Sequence, residues 1–194
     1  MLKLDGRGDI VWQNGYRQSN AGLAHSIAAT SDGGYIVAGR TLLGGWGETD
    51  PWLLKLDGAG NVIWQKSFRQ SHAGFADSIK PTSDGGYVVA GWTYSSGEGS
   101  EDAWVLKFDG QGNLVWQKRY GGTSVDIAYS VIPTSDGGYA VAGGTWSLES
   151  AQDAWVLKLD ASGDSIWQKN YGRSGSDIAR FHCRDGRLRL RCGR

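Results

Sequence analysis

An all-β fold built from tandem copies of one antiparallel sheet is predicted by three observations. The hexapeptide Thr30-Ser31-Asp32-Gly33-Gly34-Tyr35 returns at 82–87 and again at 134–139, each copy 52 residues after the last. A fixed period of this length marks one supersecondary unit used repeatedly. Glycine (31 residues) and tryptophan (10) are abundant while methionine and proline are scarce, the composition of a turn-rich β protein with aromatic packing. Helical periodicity is absent, and glycine or proline interrupts each run before a helix of ordinary length could form.

Each unit carries two hairpin signals. In the first, Ser26-Ile27 leads through Asp32-Gly33-Gly34 into Tyr35-Ile36-Val37-Ala38-Gly39. Aspartate followed by glycine suits a turn needing positive φ, and the flanks are β-branched or aromatic. In the second, Trp52-Leu53-Leu54-Lys55-Leu56 runs through Asp57-Gly58-Ala59-Gly60-Asn61 into Val62-Ile63-Trp64-Gln65, with copies at 104–117 and 155–168 and an N-terminal copy at 2–13. Strands such as Trp52-Leu53-Leu54 and Tyr87-Val88-Val89-Ala90 are apolar at consecutive positions, which places them in sheets covered on both faces.

Four short strands per unit, each sheet sandwiched by its neighbours, is the geometry of a β-propeller blade. A β-solenoid competes less well, because its coils are usually shorter and lack two tight hairpins. With strands A to D in chain order, about three complete four-stranded antiparallel blades are expected over 24–68, 76–120 and 128–171. A partial blade at 1–17, holding only a C–D hairpin, precedes them, and 1–179 form the repeat domain of an incomplete ring. An open ring leaves a sheet edge uncovered, so self-association to complete it is expected.

Residues 180–194 depart from the repeat, holding six arginines, one acid and both cysteines, Cys183 and Cys192. Read one nucleotide later, codons for 181–193 can encode Ser-Ile-Ala-Ala-Thr followed by a turn and a Tyr-Val-Val-Ala strand, so the Arg-rich tail is expected to be a frameshifted A–B hairpin. A basic tail that binds something acidic stays open as the alternative. Without the tail the body carries 14 basic and 19 acidic residues, a net of −5, which argues against a nucleic-acid surface. No apolar run approaches the length of a membrane-spanning helix.

The segment Lys55-Leu56-Asp57-Gly58-Ala59-Gly60-Asn61-Val62-Ile63-Trp64 resembles the repeat of the pyrroloquinoline-quinone-type propellers. The whole unit is similar to repeats in secreted or surface-attached bacterial and archaeal proteins. That resemblance implies that Trp12, Trp64, Trp116 and Trp167 dock one blade against the next, and it implies an extracellular or cell-surface location. Quinone chemistry finds no support: there is no adjacent cysteine pair and no clustered acid, asparagine and base to hold a quinone with calcium, so no cofactor is expected. Thr30-x-Asp32-x-Gly34 also resembles, in part, the aspartate-box turn of sialidase-type propellers, which shapes hairpins away from the catalytic centre. The turn acids are too few for calcium, and His25, His72 and His182 show no zinc spacing, so no metal site is expected.

In an antiparallel A–D blade, the A–B and C–D turns emerge on one face and the B–C and D–A connections on the other. The near-identical tight turns therefore share one face, and the loops that differ between copies share the second. Variable loops on a rigid scaffold are where binding concentrates. Candidate ligand-binding residues there are Trp46, Glu48, Trp92, Tyr94, Glu98, Glu101, Trp146 and Glu149, aromatic plates beside acceptors suited to a glycan or a protein or peptide. The glutamates form no assigned acid/base pair, so no catalytic residue is predicted. The expected function is a non-catalytic binding or structural module; the alternative is a propeller-fold glycoside hydrolase or quinone-type oxidoreductase of which this chain is a fragment.

Overall fold

A computed structural model describes residues 1–16, 22–42, 49–68, 74–94, 101–146, 152–172, 177–184 and 187–193, with Leu42 and everything from 182 onward described by backbone alone. The first hairpin pairs β1 (Leu2–Leu4) with β2 (Ile10–Gln13). Blade one follows as β3 (Gly22–Ala29), β4 (Tyr35–Leu42), β5 (Thr49–Leu56) and β6 (Val62–Ser67). Blade two comprises β7 (Gly74–Pro81), β8 (Tyr87–Tyr94), β9 (Glu101–Phe108) and β10 (Leu114–Tyr120). Blade three comprises β11 (Asp126–Pro133), β12 (Tyr139–Trp146), β13 (Gln152–Leu159) and β14 (Ser165–Tyr171). The Arg-rich stretch forms a further hairpin of β15 (Ile178–Arg184) and β16 (Arg187–Gly193).

The result is three four-stranded antiparallel sheets in A-B-C-D order and two two-stranded sheets, an all-β propeller-like array with an open ring. No helix long and apolar enough to cross a membrane occurs among the described residues. Burial follows the layering. The C strands are buried nearly throughout, as in β5 and β9, whereas the D strands β6 and β10 alternate between half-buried and exposed positions at the outer rim and β14 is exposed throughout. The two larger core clusters each span two blades: Ile36 and Leu53 of blade one pack with Ala76, Val89 and Leu106 of blade two. Val88 and Val105 of blade two pack in turn with Val131, Trp155 and Leu157 of blade three. No sheet buries its apolar face alone, so the core exists only between neighbours.

The strands run further than the pattern of apolar residues indicates. The A strands begin at Gly22, Gly74 and Asp126, because a register shift at His25, Asp77 and Tyr129 lets pairing continue past an extra residue. Opposite each shift lies a glycine. A Cβ on Gly39, Gly91 or Gly143 would clash with the carbonyl of Leu23, Phe75 or Ile127. At the inner edge, the Ile79 amide donates to Ser26 Oγ (3.2 Å) and the Val131 amide to Ser78 Oγ (3.3 Å). The preceding blade thus satisfies donors that a free edge strand would leave unpaired.

The implied docking role holds for three of the four tryptophans. A Cβ on Gly60, Gly112 or Gly163 would stand 2.9, 2.6 or 2.8 Å from the ring of Trp12, Trp64 or Trp116, each belonging to the preceding unit. Trp12 also donates from Nε1 to the Gly58 carbonyl (3.2 Å). Trp167 is 42% exposed and makes no such contact among the described residues.

Candidate binding face

The tight turns do share one face. Thr30, Asp32 and Gly34 close the first A–B turn, with the Gly34 amide donating to Asp32 Oδ1 (3.0 Å) and the Thr30 hydroxyl donating to the same oxygen. The neighbouring C–D turn packs on it so closely that a Cβ on Gly58 would lie 3.0 Å from the Gly33 carbonyl oxygen. Lys55, buried in β5, reaches this corner and donates to Thr30 Oγ1 (2.9 Å), Asp32 Oδ2 (2.8 Å) and the Leu56 carbonyl (3.2 Å). Lys107 with Asp84 and Lys158 with Asp136 repeat the corner. The Lys55 ammonium, the Thr30 hydroxyl and the Gly34 amide hold the Asp32 carboxyl far below the usual carboxylate range. For Asp84, partial burial pushes the other way, and Thr82, Lys107 and Gly86 outweigh it to bring the carboxyl down to about 2.

Sequence reasoning missed these lysines. The signal was available: a lysine stands at one fixed position in every otherwise apolar C strand, Leu54-Lys55-Leu56, Leu106-Lys107-Phe108 and Leu157-Lys158-Leu159. A cation kept inside an apolar run requires a partner brought to it by the fold. Between blades two and three the same face holds a cavity of about 720 Å³, lined by residues including Asp84, Lys107, Asp109, Val115, Trp116 and Tyr139. Its walls are the repeated turns.

On the opposite face, Trp92, Tyr94, Glu101 and Trp146 are described, whereas Trp46, Glu48, Glu98 and Glu149 lie outside the described residues. Trp92 stacks on Phe75 (centroids 3.8 Å apart, 11° between planes), and Tyr94 meets Trp92 edge-on at 5.4 Å. The Arg40 guanidinium of blade one lies over the other side of the system, 4.6 Å from the Phe75 centroid. Its Nε is buried and has no hydrogen-bond partner among the described residues. Glu101 is the strand partner of Tyr94, so three candidates meet at the end of one blade. Phe75 and Arg40 complete the group and were not foreseen; only the pairing of Phe75 with Trp92 across the bulged A–B hairpin reveals them.

Trp146 sits at the same position of blade three as Tyr94 does in blade two. It borders a hollow of about 380 Å³ with Thr123, Asp126, Thr145, Gln168 and Asn170. Asp126 is buried and accepts from the Gly122 amide (2.9 Å). Burial raises the Asp102 carboxyl on the neighbouring blade, opposed by Arg119 and reinforced by Asp126.

Nearer the axis, the bulged residues bridge blades. His25 Nδ1 lies 3.0 Å from Asp77 Oδ1. Arg180 stacks over Tyr129 (4.9 Å), whose hydroxyl accepts from Gln152 Nε2 (3.2 Å). His25 is therefore part of an inter-blade contact and not an isolated surface residue. Among the described residues no group of three or more histidines, cysteines or acids is placed to hold a metal ion.

No family model matches this chain. Over 143 residues, 66% of the chain, it is 29% identical to the regulatory protein FlaEY of Caulobacter vibrioides, spanning 15% of that protein's length. Among solved structures, Sqt1 from Chaetomium thermophilum is similar over 86% of this chain and 42% of that one, at 14% identity and a TM-score of 0.41.

Proposed function

We propose that the chain is a non-catalytic binding module, at the cell surface or secreted, whose loop-bearing face takes a peptide or glycan. One observation carries the reading: Arg40, Phe75 and Trp92 form a cation–aromatic stack, with Tyr94 edge-on to Trp92 and beside Glu101. Aromatic plates of low conformational entropy, next to a cation and an acceptor, suit both sugar faces and peptide side chains. The surface location rests on the repeat's resemblance to secreted proteins. That the Caulobacter relative is regulatory by name supports a role without turnover.

Screening arrays of soluble glycans and peptides with the chain, followed by titration of tryptophan fluorescence, tests the proposal. Trp92→Ala is expected to weaken a captured ligand by at least tenfold, as for an interface aromatic. Binding indifferent to both Trp92→Ala and Tyr94→Ala, or no binding across the arrays, overturns it.

A hydrolase is the second reading, favoured by one feature: the raised carboxyl of Asp102 close to Asp126, which is buried and borders the hollow. Glycoside turnover abolished by Asp102→Asn would establish it in place of the first.

A further inference from the structure

Three times in this chain, the D strand of one unit grips the C–D turn of the next, always through a tryptophan, at two of the joints through a tyrosine and at two through a lysine. The tryptophan ring covers the turn glycine, as in Trp12–Gly60, Trp64–Gly112 and Trp116–Gly163. Four residues beyond the tryptophan, a tyrosine hydroxyl donates to that glycine's carbonyl, Tyr16 to Gly60 (2.7 Å) and Tyr120 to Gly163 (2.6 Å). Two residues beyond it, a lysine reaches the last residue of the turn, Lys66 to Asn113 Oδ1 (2.8 Å) and Lys118 to Asp164 Oδ1 (2.7 Å).

A fourth joint is present as two separated halves. One half is Trp167, Lys169 and Tyr171 on β14, all exposed, with Lys169 Nζ already 5.7 Å from the Trp167 ring centroid, as Lys66 is 5.8 Å from that of Trp64. The other half is the turn Asp5 to Asp9, whose Gly8 has the same positive φ (92°) as Gly60 (82°) and Gly112 (73°). Nothing lies within 4 Å of a Cβ on Gly8, whereas Gly60, Gly112 and Gly163 are buried. Beside it Leu2 and Leu4 are 52% and 48% exposed, although their counterparts Leu54, Leu56, Leu106 and Leu157 are at most 1% exposed. The two halves are complementary in apolar surface and in charge, one carrying Lys169 and the other the acid Asp9. Within one chain they do not meet: β1–β2 and β15–β16 are separate sheets, and both half-joints are open.

We propose that a second copy of this chain supplies the missing half, its β1–β2 hairpin docking against β14 so that Trp167 covers Gly8, Lys169 pairs with Asp9 and Tyr171 donates to the Gly8 carbonyl. The contact is head-to-tail. It repeats the rotation between blades, so successive copies continue the same arc until it closes.

Sedimentation equilibrium of the full chain over a wide concentration range reads the joint. The wild-type chain is expected to associate with rising concentration. Trp167→Ala, at an exposed site and verified as folded by circular dichroism, should weaken association at least about thirtyfold, the loss typical of a tryptophan hot spot. Lys169→Glu and Asp9→Lys chains should each associate poorly alone and recover when mixed, since the reversed charges then face each other across two molecules. A wild-type chain that is monomeric at every concentration, including one that closes the joint on itself, overturns the proposal. So does association that Trp167→Ala leaves unchanged, or single-charge variants that fail to recover on mixing.

Discussion

A Cβ on Gly163 would stand 2.8 Å from the ring of Trp116, so the tryptophan of one blade fills the space that the glycine of the next leaves open. The relationship couples a turn requirement to a packing requirement at one residue, and it is the unit from which the array is assembled.

Alanine at Gly112 should therefore cost more than alanine at Gly8. Both glycines have positive φ, but only Gly112 lies against a tryptophan, the ring of Trp64. The expected losses are about 1 kcal/mol at Gly8, from backbone strain alone, and about 2–4 kcal/mol at Gly112, where overpacking adds. Urea unfolding of the two variants measures the difference, and equal losses would show that the joint contributes nothing to stability.

Gly91 is expected to be intolerant for a different reason. Its φ is ordinary, yet a Cβ would run into the Phe75 carbonyl across the bulge. Gly91→Ala should destabilise by about 1–3 kcal/mol. It should also disturb the adjacent Phe75–Trp92 stack, visible in near-ultraviolet circular dichroism.

Replacing Lys107 with methionine removes the ammonium that donates to Asp84 and to the Phe108 carbonyl (3.0 Å). The hydrocarbon stem is preserved, so the loss isolates hydrogen bonds to a charged group. About 1–3 kcal/mol is expected by denaturant titration.

The same corners set the acid limit. The Asp32, Asp84 and Asp136 carboxyls are all lowered in the folded protein, Asp84 to about 2. A lowered carboxyl binds its proton more weakly folded than unfolded, so its contribution is fully present above the unfolded value near 3.9 and is lost as pH falls through the folded one. Stability should accordingly decline from about pH 4 toward pH 2. Thr82→Val removes one donor and should raise the Asp84 carboxyl, detected by its carbon-13 chemical-shift titration.

On the loop side, Trp92, Tyr94 and Glu101 were legible because they vary between copies at the ends of otherwise repeating strands. Arg40 and Phe75 were not, since Phe75 reads as part of the connection between blades, and only the bulged pairing of β7 with β8 and the packing of blade one on blade two bring it between Trp92 and Arg40. The buried lysines were hidden in the same way. A lysine in an apolar run has no meaning until the turn that receives it is seen to fold back beside it.

The period of 52 residues, the paired turn signals and the doubly apolar strands determined by themselves that the chain is a series of four-stranded sheets with tight turns on one side. Repetition in sequence translates directly into repetition in local structure, because each hairpin is specified by residues a few positions apart. Tertiary structure alone decided which distant groups meet: the lysine in its corner within one blade, and between blades the tryptophan on its glycine and the arginine on its phenylalanine. Those contacts join residues from about half a repeat to nearly a full repeat apart, and their geometry depends on the bulge, twist and offset of packed sheets, none of which a linear pattern encodes.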